Sequence, residues 1–342
     1  MSVTYPQGRV LLGETEAVRR AYERFSEQEI DETLLCDGPA GFSSKRTTLA
    51  TERSVTGSGT FYRRAKRTLT FCPSENPGWW IDRGDLPEQM QIPVSARNIW
   101  TSARNIVLRC GNPHNYLRMV EHIVALRLGM GVDDLVIRTD SGDPPLFDRS
   151  SLDLVEAVED AKIVERDEPA RFVTVKEPVT FGGDRGDFLT FLPAEKGRNV
   201  LRIDCAIDFN SIIGKQRILF DVTPETFRKG AFARTNASRR QMLFVKTVGQ
   251  LMADTRNLGY TPDNILIHGK KKWYGKPRFE IPETGKALEP VWHRAVLDLL
   301  AAIALIDTGR FVGTVVSYRA GHTLDCRAVT LLYINRLLTL VA

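Results

Sequence analysis

The adjacent residues Glu121 and His122 carry a carboxylate and an imidazole, two side-chain types that proteins use for proton transfer and metal binding. They lie in the run Arg118–Asp134, whose apolar residues recur at the spacing of one buried helix face. Gly129 and Gly131 mark the end of this predicted helix. An isolated Glu-His pair is usually a surface glutamate beside a histidine at the edge of the core. A functional interpretation of this pair therefore depends on the rest of the chain.

The size and composition of the chain fit a globular protein with two domains of ordinary size. It has 342 residues, of which 42% are hydrophobic and 26% are charged. Its 47 Lys and Arg residues against 42 Asp and Glu residues give a net charge of +5, spread along the chain. This mildly basic balance is compatible with a phosphate-bearing ligand and is too weak to indicate nucleic-acid binding.

The cysteines and the apolar segments predict a cytoplasmic protein without a transmembrane segment. The five cysteines are far apart and form no CxxC pair, which is typical of small core residues in a reducing compartment. No apolar leader follows Met1. The most apolar segment, Val291–Ile306, contains charged residues and is too short to span a bilayer.

The order of predicted elements indicates an N-terminal extension followed by two similar halves. Residues 1–45 contain a charged amphipathic helix, Glu14–Ile30, which we interpret as a packing helix. Short alternating strands begin at Thr47, and the polar run Ala161–Arg171 separates the halves. We predict domains at 46–165 and 170–342, with an insertion around 236–280 in the second.

Repeated segments suggest that the two halves are homologous. Leu69–Glu75 is matched by Leu189–Glu195, and Leu128–Ile137 is matched by Leu258–Ile267 at a nearly constant offset. The predicted fold class is therefore α+β, with two homologous domains, each a mostly antiparallel sheet packed on helices. Function in such a protein often lies in the cleft between the halves, so we expect Glu121 to face residues 290–325.

Several short motifs occur in an order and spacing that are specific as a set. They are Val120–His122 with Asp133–Ile137, Ile207–Asn210, Ala233–Thr235 and Ser317–His322, and together they resemble the UDP-3-O-acyl-N-acetylglucosamine deacetylases of lipid A synthesis. The resemblance extends from about Thr47 to the C-terminus.

The resemblance implies a zinc hydrolase that removes an acetyl group from an acylated UDP-N-acetylglucosamine. By match, Glu121 is the general base, His122 is a metal ligand, and His322 protonates the leaving amine or stabilises the oxyanion. Thr235 matches a threonine near the substrate carbonyl. Three protein ligands leave an open zinc position, where the metal lowers the pKa of a bound water and polarises the amide carbonyl.

The remaining metal ligands implied by the resemblance, His293 and Asp298, depart from the family spacing of four residues. Here five residues separate them, so on a regular α-helix at about 100° per residue they point about 140° apart. If Leu297 takes the place of the acid, the carboxylate ligand is lost. If Arg294 takes the place of the histidine, it forms a salt bridge with Asp298 instead. A π-bulge near the helix start would realign the original pair.

Other departures support a second hypothesis, in which the chain is a metal-free, inactive relative with a ligand-binding or protein-interaction role. The family's Gly-Asp after the ligand helix reads Ala301-Ala302 here, and loss of that acid weakens His322. The family's Gly-Leu-His-Ser-Gly turn reads Gly59–Arg63, without a histidine. Its Phe-Gly-Phe after the threonine reads Asn236–Ser238.

Two basic runs, Arg63–Arg67 and Lys270–Tyr274, form the basis of a third hypothesis, a nucleic-acid or membrane-surface binder. Solvated hairpin tips explain such runs equally well, and we expect no nucleic-acid partner at this net charge. In the family context, a lysine of such a loop can lie near the diphosphate of the substrate.

Overall fold

Two large β-sheets and a pair of central helices share one hydrophobic core. The computed structural model describes residues 5, 6, 8–247 and 259–341. The mixture of sheets and helices confirms the α+β class. The elements of the first half are β1 (Arg9–Leu12), α1 (Thr15–Ser26), β2 (Glu32–Leu34), β3 (Lys45–Leu49), β4 (Arg53–Gly59), β5 (Lys66–Pro73), β6 (Trp79–Arg83), β7 (Ile92–Pro93), β8 (Ile99–Thr101), β9 (Val107–Arg109), β10 (Tyr116–Leu117), α2 (Glu121–Gly129), β11 (Leu135–Thr139), β12 (Pro145–Leu146) and α3 (Leu152–Ala161).

The second half contains the longer sheet and a helix with an irregular middle. Helix α6 is continuous but consists of three pieces: an α-helical turn, a π-helical turn and a second α-helical turn. The elements are β13 (Ile163–Pro169), β14 (Phe172–Val175), β15 (Val179–Gly182), β16 (Phe188–Leu192), β17 (Leu201–Phe209), β18 (Gly214–Asp221), α4 (Pro224–Ala231), β19 (Thr235–Ser238), α5 (Arg239–Lys246), β20 (Ile265–His268), α6 (Glu289–His293, Arg294–Leu299 and Leu300–Ala304), β21 (Arg310–Phe311), β22 (Gly313–Tyr318), α7 (His322–Ile334) and β23 (Leu338–Leu340).

The two large sheets share a central arrangement of four strands. The six-stranded sheet has the order β12-β4-β5-β11-β6-β7, and the seven-stranded sheet has the order β1-β15-β16-β22-β17-β18-β2. In both, an antiparallel hairpin (β4-β5, β15-β16) pairs antiparallel with a third strand, which pairs parallel with a fourth. The order and sense of these four strands are therefore the same in the two halves.

In the downstream part of the predicted repeat, the matched residues do not occupy equivalent strands of the two large sheets. β11 occupies the third place in its sheet, and the strand in that place in the other sheet is β22. Residues 265–267, which we matched to β11, belong to β20, which pairs with β19 in a separate two-stranded sheet. Leu258 of that match lies outside the described residues, as do residues 248–258 of the predicted insertion.

The N-terminal residues are built into the seven-stranded sheet. β1 pairs parallel with β15 at one edge, and β2 pairs parallel with β18 at the other. These two additions are parallel, whereas three of the four strand pairings within residues 170–342 are antiparallel. Each large sheet is therefore mostly antiparallel within its predicted domain, as expected. The predicted helix Glu14–Ile30 is α1, and it packs on this sheet as expected for a packing helix.

The strands under α1 are buried on both faces, which explains their continuous apolar sequences. Phe188 and Tyr318 contact Phe25 of α1, whereas the alternate residues Leu189 and Val315 face the main core. Arg217 lies beneath α1, where its guanidinium stacks 3.9 Å from the Phe25 ring and forms a buried ion pair with Asp204.

The polar run predicted as a boundary also forms structure. Residues 163–169 form β13, which pairs antiparallel with β3. The run Ile163–Pro169 is largely exposed, so its polar composition reflects a solvated edge pair rather than a loop.

Asp221, at the end of β18, ties the N-terminal segment to the seven-stranded sheet. It accepts hydrogen bonds from Arg202 (2.7 Å), Arg198 (2.9 Å) and the backbone N–H of Cys36 (3.1 Å). Burial opposes its charge, but Arg202 and the Cys36 N–H outweigh burial and hold the pKa of Asp221 below its ordinary value.

Asp221→Asn is expected to destabilise the protein in a pH-dependent manner. Because the pKa is lower in the folded state, the ionised carboxylate stabilises that state above the ordinary Asp pKa and loses this contribution as the pH falls. The difference in unfolding free energy between wild type and Asp221→Asn should therefore shrink from about pH 5 to about pH 3 in urea titrations. A difference that stayed constant over this range would contradict the assignment.

Candidate active site

The two central helices, α2 and α6, are buried except at one position each. In α2 every residue is buried except His122, and in α6 every residue is buried except Asp298. The helices pack on each other, so these two positions open on the same side of the core. Polar side chains at the only accessible positions of two apolar helices are unusual and mark a candidate site.

The π-helical turn of α6 brings His293 and Asp298 together. In a π-helix the backbone hydrogen bond spans five residues, so residues five apart lie on one face. His293 Nδ1 lies 3.5 Å from Asp298 Oδ1. The π-bulge considered from the sequence is thus present, at Arg294–Leu299, and it compensates for the additional residue between the two side chains.

His122 and Thr235 complete the surroundings of His293. The rings of His122 and His293 lie 5.5 Å apart, centroid to centroid. Thr235 Oγ1 and His293 Nε2 share a hydrogen bond of 2.8 Å. Ser151, at the start of α3, donates its hydroxyl to the backbone carbonyl of His122 (2.9 Å) and lies 3.3 Å from its Nδ1. These contacts fix both imidazoles relative to the helices.

Glu121 and His322 form the other side of the cluster. Glu121 Oε2 accepts a hydrogen bond of 3.0 Å from the backbone N–H of Ile106, which orients its carboxylate. Its Oε1 lies 3.8 Å from His322 Nε2. The same His322 nitrogen lies 3.6 Å from Asp298 Oδ1. His322 is the first residue of α7.

The electrostatics of the cluster separate its members into different protonation states. Burial, reinforced by His293, lowers the pKa of His122 to about 3, so this imidazole is neutral near pH 7. Burial raises the pKa of Glu121 against the opposing effect of His322. Burial also works against the charges of His322 and Asp298, but their mutual attraction outweighs it. The pKa of His322 is raised, with Glu121 contributing, and that of Asp298 is lowered, with His293 contributing.

Arg294 does not pair with Asp298, which rules out the alternative salt bridge considered from the sequence. Its guanidinium points to α7, where Nη2 contacts Asp325 Oδ1 at 2.7 Å, and its Nε donates to the backbone carbonyl of Ala320 at 2.8 Å. Leu297 is fully buried in the core and takes no part in the cluster. Asp298 is therefore the acid that lies next to His293.

The sequence reasoning missed Asp325, which lies three residues after His322 on the same helix. Its negative charge is one of those that raise the pKa of His322. The positions of the family's missing acid, Ala301 and Ala302, are fully buried in the core. An acid one turn after a helix-starting histidine is a spacing signal that could have identified Asp325 from the sequence.

The donor set is suitable in type for zinc. Two imidazoles and a carboxylate are ligands that zinc accepts, and a tetrahedron with donors about 2.1 Å from zinc has edges of about 3.4 Å. The 3.5 Å between His293 Nδ1 and Asp298 Oδ1 is close to such an edge. Asp298 Oδ1 is buried and accepts no hydrogen bond from the described residues. Within the same residues, no three His, Cys, Asp or Glu side chains are already arranged around one metal position.

A cavity of about 880 Å³ lies at the far end of β19 from Thr235. Ser238 follows Thr235 by three residues along this strand, or roughly 10 Å, and it lines the cavity. Apolar side chains of α5 and β20, including Met242 and Ile267, contribute to its wall, and Arg239 and Lys270 add positive charge. Lys270 belongs to one of the basic runs, which forms a tight turn between His268 and Trp273.

None of the described helices has the length and apolar composition needed to cross a membrane.

Comparison with known proteins adds independent information about the chain. The family model described as UDP-3-O-acyl N-acetylglycosamine deacetylase (LpxC) matches residues 46–333, a range that contains the whole cluster. A UDP-3-O-acyl-N-acetylglucosamine deacetylase from Bdellovibrio bacteriovorus is 28% identical over 257 residues, or 75% of this chain and 79% of that protein. Those from Brucella melitensis biotype 2 and Brucella ovis are each 28% identical over 283 residues, or 81% of this chain and 92% of theirs.

Proposed function

Because this chain belongs to the UDP-3-O-acyl N-acetylglycosamine deacetylase family, we propose that it hydrolyses the acetamide of an acylated UDP-N-acetylglucosamine in lipid A biosynthesis. The observation that carries this proposal is the π-helical turn at Arg294–Leu299. It puts His293 and Asp298 on one face, beside His122, Glu121 and His322. Without that turn, the sequence spacing would favour the metal-free alternative.

We assign His122, His293 and Asp298 as the residues that would hold zinc. His122 is neutral at physiological pH, as a metal-binding imidazole must be. Asp298 is ionised because its pKa is depressed, and its buried Oδ1 accepts no hydrogen bond from the described residues. When bound, zinc would lower the pKa of a coordinated water and polarise the amide carbonyl.

Glu121 is the proposed general base. Burial raises its pKa, which makes the carboxylate a stronger base, and the Ile106 N–H holds Oε2 so that Oε1 faces the cluster. Glu121 Oε1 would accept the proton of the attacking water.

His322 is the proposed proton donor to the leaving amine. The carboxylates of Asp298 and Glu121 raise its pKa and thereby favour its protonated form before reaction. Thr235, which shares a hydrogen bond with His293, lies where its hydroxyl could also contact the substrate carbonyl.

The cavity beyond β19 is the proposed substrate-binding region. Its apolar wall suits an acyl chain, and Arg239 and Lys270 suit the diphosphate of a UDP-sugar. This assignment gives the basic run at Lys270 a role in substrate binding.

The domain division and the cytoplasmic location are also part of this proposal. The common order and sense of the four central strands support homologous domains at 46–165 and 170–342, with the active site in the cleft between them. All five cysteines lie in described parts of the chain and are unpaired, which supports a cytoplasmic location.

Zinc analysis and acetate release test the proposal. Protein purified without chelators should contain about one equivalent of zinc, as expected for a single catalytic site, and should release acetate from an acylated UDP-N-acetylglucosamine. His122→Ala should lose both properties, whereas His114→Ala, at an exposed loop position, should keep both. Protein without zinc or acetate release would establish the alternative of a metal-free relative.

A further inference from the structure

We propose that a second cavity, behind the active site, binds a small metabolite through a phosphomonoester group. The cavity has a volume of about 460 Å³ and is lined by residues from both halves, including Trp80, Arg127 and Gly309. This volume lies within the usual range of about 300–1,000 Å³ for small-molecule sites, which are frequent where domains meet.

The cavity lies at the opposite ends of α2 and α6 from the candidate active site. Arg127 follows His122 by five residues, or about 7.5 Å along the helix axis at 1.5 Å per residue. Ala304, whose carbonyl contacts Arg127, follows His293 by eleven residues, or roughly 16 Å. A ligand in this cavity would therefore bind separately from the substrate.

Arg127 is the main reason to infer an anionic ligand. Only 5% of its surface is exposed, yet no carboxylate oxygen among the described residues lies within 4.0 Å of its guanidinium. Its Nη1 donates to the carbonyls of Ala304 (2.6 Å) and Ile306 (2.8 Å) at the end of α6. Its Nε and Nη2 donate to no described residue, and the side chain lines the cavity. A buried guanidinium without an anionic partner is costly, and a bound anion would compensate for that cost.

The lining of the cavity carries an excess of positive charge. Four arginines face two aspartates there, and both aspartates already have partners. Asp133 is bound by Arg310 at 2.6 Å and 2.9 Å, and Asp307 accepts a hydrogen bond of 2.5 Å from Tyr333. The four arginines are Arg46, Arg97, Arg127 and Arg171. Arg46 is paired with Asp134, and Arg97 Nη1 lies 3.5 Å from Asp307 Oδ2, so Arg127 and Arg171 are the two lining arginines without an acidic partner among the described residues.

Arg171 adds an uncommitted cation to this lining. Its guanidinium forms no ion pair or side-chain hydrogen bond within the described parts of the chain, and the side chain is exposed. The two positive charges of Arg127 and Arg171 match a phosphomonoester, which carries about −1.5 to −2 near pH 7. Guanidinium groups bind such oxygens through paired hydrogen bonds. The volume exceeds that of phosphate itself, so the remainder of the metabolite would lie along the wall that contains Trp80.

The test of this proposal is the binding of phenyl phosphate to the full-length protein, measured by isothermal titration calorimetry at low ionic strength. Wild type should show saturable binding, and Arg171→Gln should weaken it at least about tenfold, because a charge-assisted contact is lost. Arg127→Met should weaken it further. Arg127 also contacts carbonyls at the end of α6, so the folding of this variant is checked by circular dichroism. The decisive variant is Arg171→Gln, because Arg171 forms no ion pair or side-chain hydrogen bond with the described residues that the substitution could break.

Arg185→Gln is the matched control, since Arg185 is exposed and lies outside the cavity lining. It should leave the affinity unchanged. The proposal fails if wild type does not bind phenyl phosphate or if Arg171→Gln binds as tightly as wild type. Equal weakening by Arg185→Gln would show nonspecific attraction and would also overturn it. Citrate binding more tightly than phenyl phosphate would overturn the assignment to a phosphomonoester.

Discussion

Glu121→Gln is expected to lower kcat/KM for acetate release by about a hundredfold to ten-thousandfold, the usual contribution of a positioned general base. The amide has nearly the same shape as the carboxylate, and its oxygen can still accept the hydrogen bond from the Ile106 N–H. It cannot accept a proton from water. The loss should therefore appear in kcat, with little change in KM.

Zinc content separates this effect from damage to the metal site. Glu121 is not one of the proposed ligands, so Glu121→Gln should retain the zinc stoichiometry of wild type, whereas His293→Ala should lose zinc and activity together. A Glu121→Gln variant with more than a tenth of wild-type kcat/KM would contradict the role of Glu121 as base. Loss of zinc from this variant would instead indicate that Glu121 helps to hold the metal.

Arg294→Met is expected to lower the free energy of unfolding by about 3–5 kcal/mol, because removal of one partner leaves the other charge of a buried pair uncompensated. Asp325 is fully buried, and Arg294 Nη2 is the cation that contacts it, at 2.7 Å. Arg294 Nε also donates to the Ala320 carbonyl, which holds the turn before His322 in place. The measurement is the urea unfolding free energy at neutral pH.

A double variant and a surface control show whether the uncompensated charge causes this loss. Arg294→Met combined with Asp325→Leu should recover much of the stability, since apolar replacement of a whole buried pair is often neutral. Arg228→Gln removes an exposed pair with Glu156 and Glu159 and should cost about 0–1 kcal/mol. If Arg294→Met costs no more than Arg228→Gln, the pair does not contribute substantially to the stability of α6 and α7.

Much of the candidate site could be predicted from local sequence. Glu121 and His122 start an apolar helix with a glycine end, and the helix α2 is present where the pattern predicted it. The family resemblance is confirmed by the family match, and its short motifs predicted His322 and Thr235, which the structure places in or beside the cluster. Such features are predictable because they depend on residues close in sequence, whose side-chain spacing follows from regular backbone geometry.

In the N-terminal segment, composition was insufficient to predict all of the secondary structure. Its helix was predicted from charge and periodicity, but its two edge strands were not. β1 and β2 are short, and each is stabilised by a parallel strand more than 160 residues away in sequence.

The glutamate and histidine of α2 are thus determined by sequence alone, whereas the second half of the cluster required the tertiary structure. A spacing of five residues places His293 and Asp298 apart on an α-helix and together in a π-turn, and the sequence is compatible with both. Packing decides between them. Val296 of the π-turn packs against Gly230 of α4, where a Cβ would come within 2.4 Å of it, and Arg294 is held by Asp325 of α7. These contacts join residues 31 to 66 positions apart, so no local pattern could reveal them.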